Sequence, residues 1–252
     1  MTSMCNKEES AIEQIKRSVD KVQGWLRYTE GAFLYRAAKQ VSGRGVIVEI
    51  GSWKGKSTIW LAKGSKDGSK VKIYAIDPHT GSPEHRDRYG DVWTFPEFKR
   101  NIEEAGVDDI VLPVVKTSRE ASKNWNYPVE FMFIDGAHDY DSVKTDFELW
   151  YPHIIYGGVI AFHDTIGWEG PRRLVKESVY KSRNFKDIRS VGSVTYATKV
   201  KQISIKDVLK NRYLLCIRNF EEMLGKLSAD SMVKHVVKRC LYVLKKKTLT
   251  IY

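Results

Sequence analysis

Between residues 46 and 162, short apolar runs alternate with amphipathic stretches, and no other feature constrains the fold as much. The runs are Val46–Ile50, Val71–Ile76, Ile110–Val115, Phe131–Ile134 and Val159–Phe162. Runs without polar alternation belong to strands covered on both faces, as in parallel sheets whose crossover helices supply the cover. The stretches between them, Lys56–Lys63, Pro96–Ala105, Arg119–Trp125 and Asp141–Trp150, read as those helices. Right-handed crossovers then give a doubly wound α/β sheet with its ligand crevice outside the strand C-termini. After a helix at Pro171–Lys181, Phe185–Val191 and Ser193–Val200 are separated only by Gly192 and read as a closing antiparallel hairpin. The expectation is a mostly parallel, seven-stranded sheet over residues 46–200. A helical segment 1–45 precedes it, with Ile12, Ile15, Val19, Val22 and Leu26 near helical spacing, and a tail 201–252 follows.

Composition narrows the class. A chain of 252 residues, 42% hydrophobic, buries a sizeable core, which excludes general disorder. No apolar run approaches the ~18–20 residues that span a bilayer, and MTSMCNKEES lacks a signal peptide's apolar core. Cys5, Cys216 and Cys240 are far apart and odd in number, so they form neither a disulfide framework nor a zinc site. A cytoplasmic location is expected. The net charge of +11 is unevenly placed: from Lys199 to Tyr252, 13 Lys/Arg face four Asp/Glu, and +9 of the total lies there. That distribution points to a targeting or interaction element rather than to a catalytic surface for polyanions.

The sharpest local signal is Val48-Glu49-Ile50-Gly51-Ser52-Trp53-Lys54-Gly55-Lys56-Ser57. A strand ends in Gly51, where a ligand can approach the backbone closely, and Gly55 and Ser57 open a helix whose amides can hold a carboxylate. The spacing is neither GxGxxG nor GxxxxGK[ST], so nicotinamide dinucleotides and nucleoside triphosphates fit poorly. The bland alternative is a tight strand-to-helix turn. Asp77, at the tip of the next strand, is placed to accept from a ribose diol, or to cap the turn before Pro78. Farther on, Asp135 ends one strand and His163-Asp164 ends its expected neighbour. These three make a candidate site for a divalent metal, with Mg²⁺ or Ca²⁺ favoured by the oxygen ligands and Mn²⁺ or Fe²⁺ left open by the imidazole. His138, three residues past Asp135, is a candidate general base. Hydrogen bonding to loops is the alternative for each.

In order along the chain, VEIGSWKGKST, AIDPHTG, VVKTSRE, FIDGAHDY and GGVIAFHDT resemble the class I S-adenosylmethionine-dependent methyltransferases. They look most like the branch with macrocin and mycinamicin sugar O-methyltransferases and cephalosporin hydroxylase-like proteins. The resemblance covers residues 20–200 or so and implies a Rossmann-like methyltransferase fold. It implies S-adenosyl-L-methionine as cofactor, with Glu49, Gly51, Ser52 and Gly55 at the cradling turn, Ser57 on the methionine carboxylate and Asp77 on the ribose. Ser118 and Arg119 match the pair against adenine. Asp135 matches a metal ligand that also helps hold the cofactor, His163-Asp164 the remaining metal ligands, and His138 the base. The first residue of the His163-Asp164 pair is an acid in those relatives. The implied reaction is methylation of a hydroxyl on a sugar or glycan-type acceptor. A metal-dependent oxidative hydroxylase and a non-catalytic S-adenosylmethionine-binding protein are the alternatives.

The connection Pro78–Thr94, with His79, His85, Arg86, Arg88 and Tyr89, is either a lid that binds the acceptor or a solvated loop. Trp25, Tyr28 and Glu30 either face the pocket or, the preferred reading, pack the helices. In the tail, Met232, Val233, Val236, Val237, Cys240, Leu241 and Leu244 form an apolar stripe beside Lys234, His235, Lys238 and Arg239. Such a helix can lie on an anionic membrane, pack on its own domain or pair with a second subunit in a homo-oligomer. No nucleic-acid partner is expected, because no reader motif is present.

Overall fold

The computed structural model of the chain describes residues 2–82, 86–88 and 90–226. The tail stripe from Met232, and His85 and Tyr89 of the long loop, lie outside the described residues. Two helices, α1 (Thr2–Val19) and α2 (Tyr28–Lys39), come first. The alternating unit follows as β1 (Val46–Ile50), α3 (Lys56–Lys66), β2 (Ile73–Ile76), α4 (Phe95–Glu104), β3 (Val111–Val114) and α5 (Ser118–Ser122). It continues with β4 (Val129–Ile134), α6 (Tyr140–Trp150), β5 (Ile154–Phe162) and α7 (Glu169–Leu174), which runs on as a π-helical turn, Val175–Tyr180. The hairpin β6 (Phe185–Val191) and β7 (Val194–Lys199) and the long helix α8 (Ile205–Lys226) complete it.

The helices start where local chemistry dictates. Asp139 caps α6 by accepting the Ser142 N–H at 2.9 Å. Thr117 and Glu120 form a reciprocal capping box on α5. Pro96 occupies the first turn of α4, where its missing N–H costs nothing.

The seven strands lie in the order β3-β2-β1-β4-β5-β7-β6. Strands β1 to β5 are parallel, and β7 runs antiparallel to both β5 and β6. This is the expected doubly wound, Rossmann-like methyltransferase fold. The winding direction reverses between β1 and β4, so the crevice opens beyond their C-terminal ends.

Each sheet face carries its own core. Ile47, Ile73, Phe131 and Phe133 pack on one side against Leu34, Tyr35 and Trp60 of α2 and α3, with Ile12 and Ile15 of α1. Val48, Met132, Ile160 and Phe162 pack on the other side against Val143 and Trp150 of α6 and against Leu214 and Leu215. Those leucines belong to α8. Asn211 donates to the Phe185 carbonyl at 2.9 Å, and Arg218 donates to Thr195 and to the Thr165 carbonyl. Helix α8 therefore packs on the sheet through Asn211, Leu214, Leu215 and Arg218. Among the described residues no helix is long and apolar enough to cross a membrane.

Candidate active site

The crevice holds a cavity of about 890 Å³. At its base β1 ends in Gly51, whose φ of 86° admits few side chains. A Cβ on Gly51 would stand 2.0 Å from the Asp135 carbonyl oxygen. The close approach that demands glycine is thus made by the tip of β4. Asp77, at the tip of β2, accepts the Trp53 N–H at 2.7 Å and the His79 N–H at 2.6 Å. It therefore holds the turn, as its bland reading has it, and it also lines the cavity, with lone pairs left for a diol. The Ser52 hydroxyl is buried there with no hydrogen-bond partner among the described residues. Trp53 is held in the left-handed region at φ 47°.

Ser57, Ser118, Arg119 and Asp135 line the same cavity, but Glu49 and Gly55 do not. Glu49 alternates to the α3 side of β1, is fully buried, and accepts from Thr58. Burial pushes its carboxyl up to about 8, against the hydroxyls of Ser57 and Thr58, so it is a neutral acid beneath the cradle rather than part of it. Gly55, at φ 91°, turns the chain into α3 and abuts Phe98 and Ile102.

At the far end, β4 and β5 deliver Asp135, His138, His163 and Asp164. The His138 Nε2 lies 3.1 Å from Asp164 Oδ2, and its ring stacks on Trp168 with centroids 4.3 Å apart and planes at 16°. Donor atoms of Asp135, His138 and Asp164 fall within 4.8 Å of one another. His163 was the expected third ligand, but it stands behind this group. Its Nδ1 lies 2.9 Å from Asp135 Oδ1 and 3.3 Å from Asp164 Oδ2, and its Nε2 lies 3.4 Å from Glu30 Oε2. Burial disfavours its charge, but the three carboxylates outweigh burial and hold the imidazole protonated. Asp164 is likewise opposed by burial, yet His138 and His163 keep its pKa below the carboxylate range. Its backbone sits at φ 53°.

Glu30 is an N-terminal helix residue that packs, as preferred, but it packs onto the site. It is fully buried, and its Oε1 accepts the Ser193 N–H at 2.6 Å and the Ser193 hydroxyl at 2.9 Å. Its Oε2 accepts the Arg27 N–H at 2.8 Å and faces His163. Burial favours its neutral form, yet His163, Ser193 and Arg27 hold the carboxyl down at about 2. Trp25 lines the cavity beside Trp53, while Tyr28 turns edge-on to Trp60.

In the long loop, Arg86 and Arg88 line the cavity. His79 does not: its ring is buried against Phe95 and Phe98, and its Nδ1 meets Thr94 Oγ1 at 2.9 Å, pinning the two ends of the loop together. Sequence reasoning missed Trp168 and Asp146. Asp146 had a signal, an acid at core spacing between Val143 and Trp150.

Sheet order, switch-point cavity and glycine turn define a Rossmann-like methyltransferase architecture. Residues 48–165 match the family model described as a methyltransferase domain. Among solved structures, the O-methyltransferase NovP superposes with a TM-score of 0.61 at 16% identity, over 69% of this chain and 81% of its own. A Bacillus cereus O-methyltransferase in complex with SAH gives 0.53 at 24%, over 75% and 91%. TomG from Streptomyces achromogenes, in complex with SAM, gives 0.52 at 21%, over 77% and 89%. At these identities the likeness establishes the fold. By sequence, the chain is 29% identical over 149 residues to the uncharacterized protein y4gI of Sinorhizobium fredii, covering 58% of this chain and 16% of that protein. It is 26% identical over 121 residues to the uncharacterized protein R132 of Acanthamoeba polyphaga mimivirus, covering 46% and 50%. The match thus spans half or less of either relative.

Proposed function

We propose that the chain is an S-adenosylmethionine-dependent O-methyltransferase acting on a hydroxyl of a sugar or glycan-type acceptor. One observation carries the reading: a single cavity joins the glycine turn, Asp77 and the cluster of Asp135, His138 and Asp164. The residues fit the cofactor. Among the described residues, Ser52 offers a buried hydroxyl without a partner, α3 opens at a glycine with no capping side chain, and Asp77 retains acceptor capacity. Bound there, S-adenosylmethionine supplies a methyl group that leaves its sulfonium for the acceptor oxygen in an in-line displacement.

The chain's own residues align the partners and move the proton. Amides at the start of α3 and the Ser52 hydroxyl hold the methionine carboxylate, and Asp77 holds the ribose. His138, oriented by Asp164 and by stacking on Trp168, takes the acceptor hydroxyl's proton. The indoles of Trp25, Trp53 and Trp168 line the cavity and give flat apolar faces for a sugar ring.

A second reading is favoured by the convergence of Asp135, His138 and Asp164 within 4.8 Å. Two carboxylates and an imidazole suit Mg²⁺, Mn²⁺ or Fe²⁺, and His163 orients both carboxylates from behind. A divalent ion held there supplies Lewis-acid activation of the acceptor hydroxyl. In that arrangement His138 is a ligand.

Calorimetry with S-adenosylhomocysteine tests the shared part, with a micromolar Kd expected; no binding overturns the proposal. Methyl-transfer assays on sugar acceptors separate the rest. His138→Ala is expected to lower kcat by ~10²–10⁴-fold with cofactor binding retained. Full activity in chelator assigns His138 as base, whereas loss restored by Mg²⁺ or Mn²⁺ assigns the metal.

A further inference from the structure

Helix α8 packs on the sheet through one face, and its opposite face carries a second apolar stripe. Leu209, Tyr213, Cys216, Phe220 and Met223 follow one another in steps of four, three, four and three residues, the spacing of a helix–helix seam. All five are exposed, and Leu209, Tyr213, Phe220 and Met223 are 41–66% accessible. Ile205, one turn earlier, extends the patch. At that exposure the face presents roughly 500 Å² of apolar surface, the upper end of what a folded monomer leaves to water. A patch of that size marks a contact. From Leu209 to Met223 the seam runs for about 21 Å along the helix.

The same chain supplies a matching occupant. Residues 227–252 lie outside the described residues, but their sequence holds Val233, Val236, Cys240 and Leu244 in steps of three, four and four, with Met232, Val237 and Leu241 beside them. Five residues, 227–231, separate the end of α8 from Met232. A connection of that length joins antiparallel helix neighbours and is too short for a parallel return. Counted back from such a turn, Val233 falls opposite Met223, Val236 opposite Phe220, Cys240 opposite Cys216 and Leu244 opposite Tyr213. We propose that residues 232–244 dock antiparallel along the outer face of α8, stripe against stripe. Tethering favours this occupant over a second copy, because a short connection holds the segment at a roughly millimolar effective concentration. It also competes with a bilayer, since a basic amphipathic segment enters lipid through the apolar face that docking covers. The docking holds whatever the cavity binds. It braces a helix tied to the β5 exit, where Arg218 donates to the carbonyl of Thr165, the neighbour of Asp164.

Thiol chemistry on the full chain tests this, in a Cys5→Ser background that leaves Cys216 and Cys240 as the sole thiols. Mild oxidation is expected to give a monomer with a Cys216–Cys240 disulfide on peptide mapping, the two thiols passing two hydrogens to the oxidant. Its absence overturns the register. The docking itself is read without a cross-link, from the alkylation rate of Cys216 in the chain that also carries Cys240→Ser. Adding Val236→Asp and Leu244→Asp undocks the segment and is expected to raise that rate by ~10-fold or more. An unchanged rate overturns the proposal. So does a Cys216–Cys216 dimer as the main oxidation product, which gives the face to a second copy. Slower alkylation on vesicles of phosphatidylcholine and phosphatidylserine gives the face to a bilayer and overturns the proposal as well.

Discussion

Replacing Glu30 by Gln tests how the site is braced. Holding this carboxyl at about 2 rather than at its ordinary 4.5 is worth about 3 kcal/mol at neutral pH. Bond counting gives a similar figure. Oε2 accepts from Arg27 and faces the imidazolium of His163, two charge-assisted contacts worth roughly 1.5–3 kcal/mol each when made. A glutamine cannot replace them by flipping. With its amide nitrogen towards His163 two donors are opposed, and with it towards Ser193 the N–H and hydroxyl there lose their acceptor. The expected loss is about 3 kcal/mol, or about 6–12 °C in Tm. The sign with pH follows from the lowered pKa: the contribution is complete above 4.5 and is lost as pH falls towards 2. Urea titrations and calorimetric melts at pH 7 and in acid measure both. A difference below ~1 kcal/mol at pH 7, or one that does not shrink in acid, would refute the reasoning.

Three further outcomes are expected. Gly51→Ala forces the tips of β1 and β4 apart and adds strain at φ 86°, so urea titration should show a loss of about 3 kcal/mol or more. A chain ending at Val200 loses Leu214, Leu215 and the Arg218 bond to the Thr165 carbonyl. It should melt without cooperativity and fail to bind S-adenosylhomocysteine; a cooperative melt with intact affinity would show that α8 is dispensable. Trp168→Ala unstacks His138 and should lower kcat by ~2–10-fold, the worth of one aromatic pair, with S-adenosylhomocysteine affinity unchanged.

Strand runs such as Val48–Ile50 and Phe131–Ile134 were legible because burial on both faces leaves them almost no polar residues, a pattern no surface element imitates. Most of the residues placed at the strand tips, Gly51, Asp77, Asp135 and Asp164, could be read too, since doubly wound topology carries every tip to one edge. The orientation of His163 could not be read from the chain. Which way an imidazole faces depends on Glu30, 133 residues away, and no local pattern encodes that pairing. Glu49, which the resemblance put with the cofactor, is a related case: strand alternation sends it beneath α3, where it meets Thr58. The charge count after Lys199 marked the tail correctly as basic. It hid the fact that Asn211, Leu214, Leu215 and Arg218 face inward, because a helix that is basic outside and apolar inside looks detachable when only its charge is counted.

Asp164 holds a left-handed backbone at φ 53° while its side chain faces two imidazoles. Glycine, asparagine and aspartate visit that conformation, whereas other residues pay roughly 1–2 kcal/mol for it. Mutational drift at this position is therefore channelled. Asparagine preserves the corner and removes the charge in one step, while every β-branched or bulky replacement bends the loop before it alters the chemistry. A descendant could keep its shape through asparagine, so loss of this charge and loss of the fold are separable by a single side-chain atom.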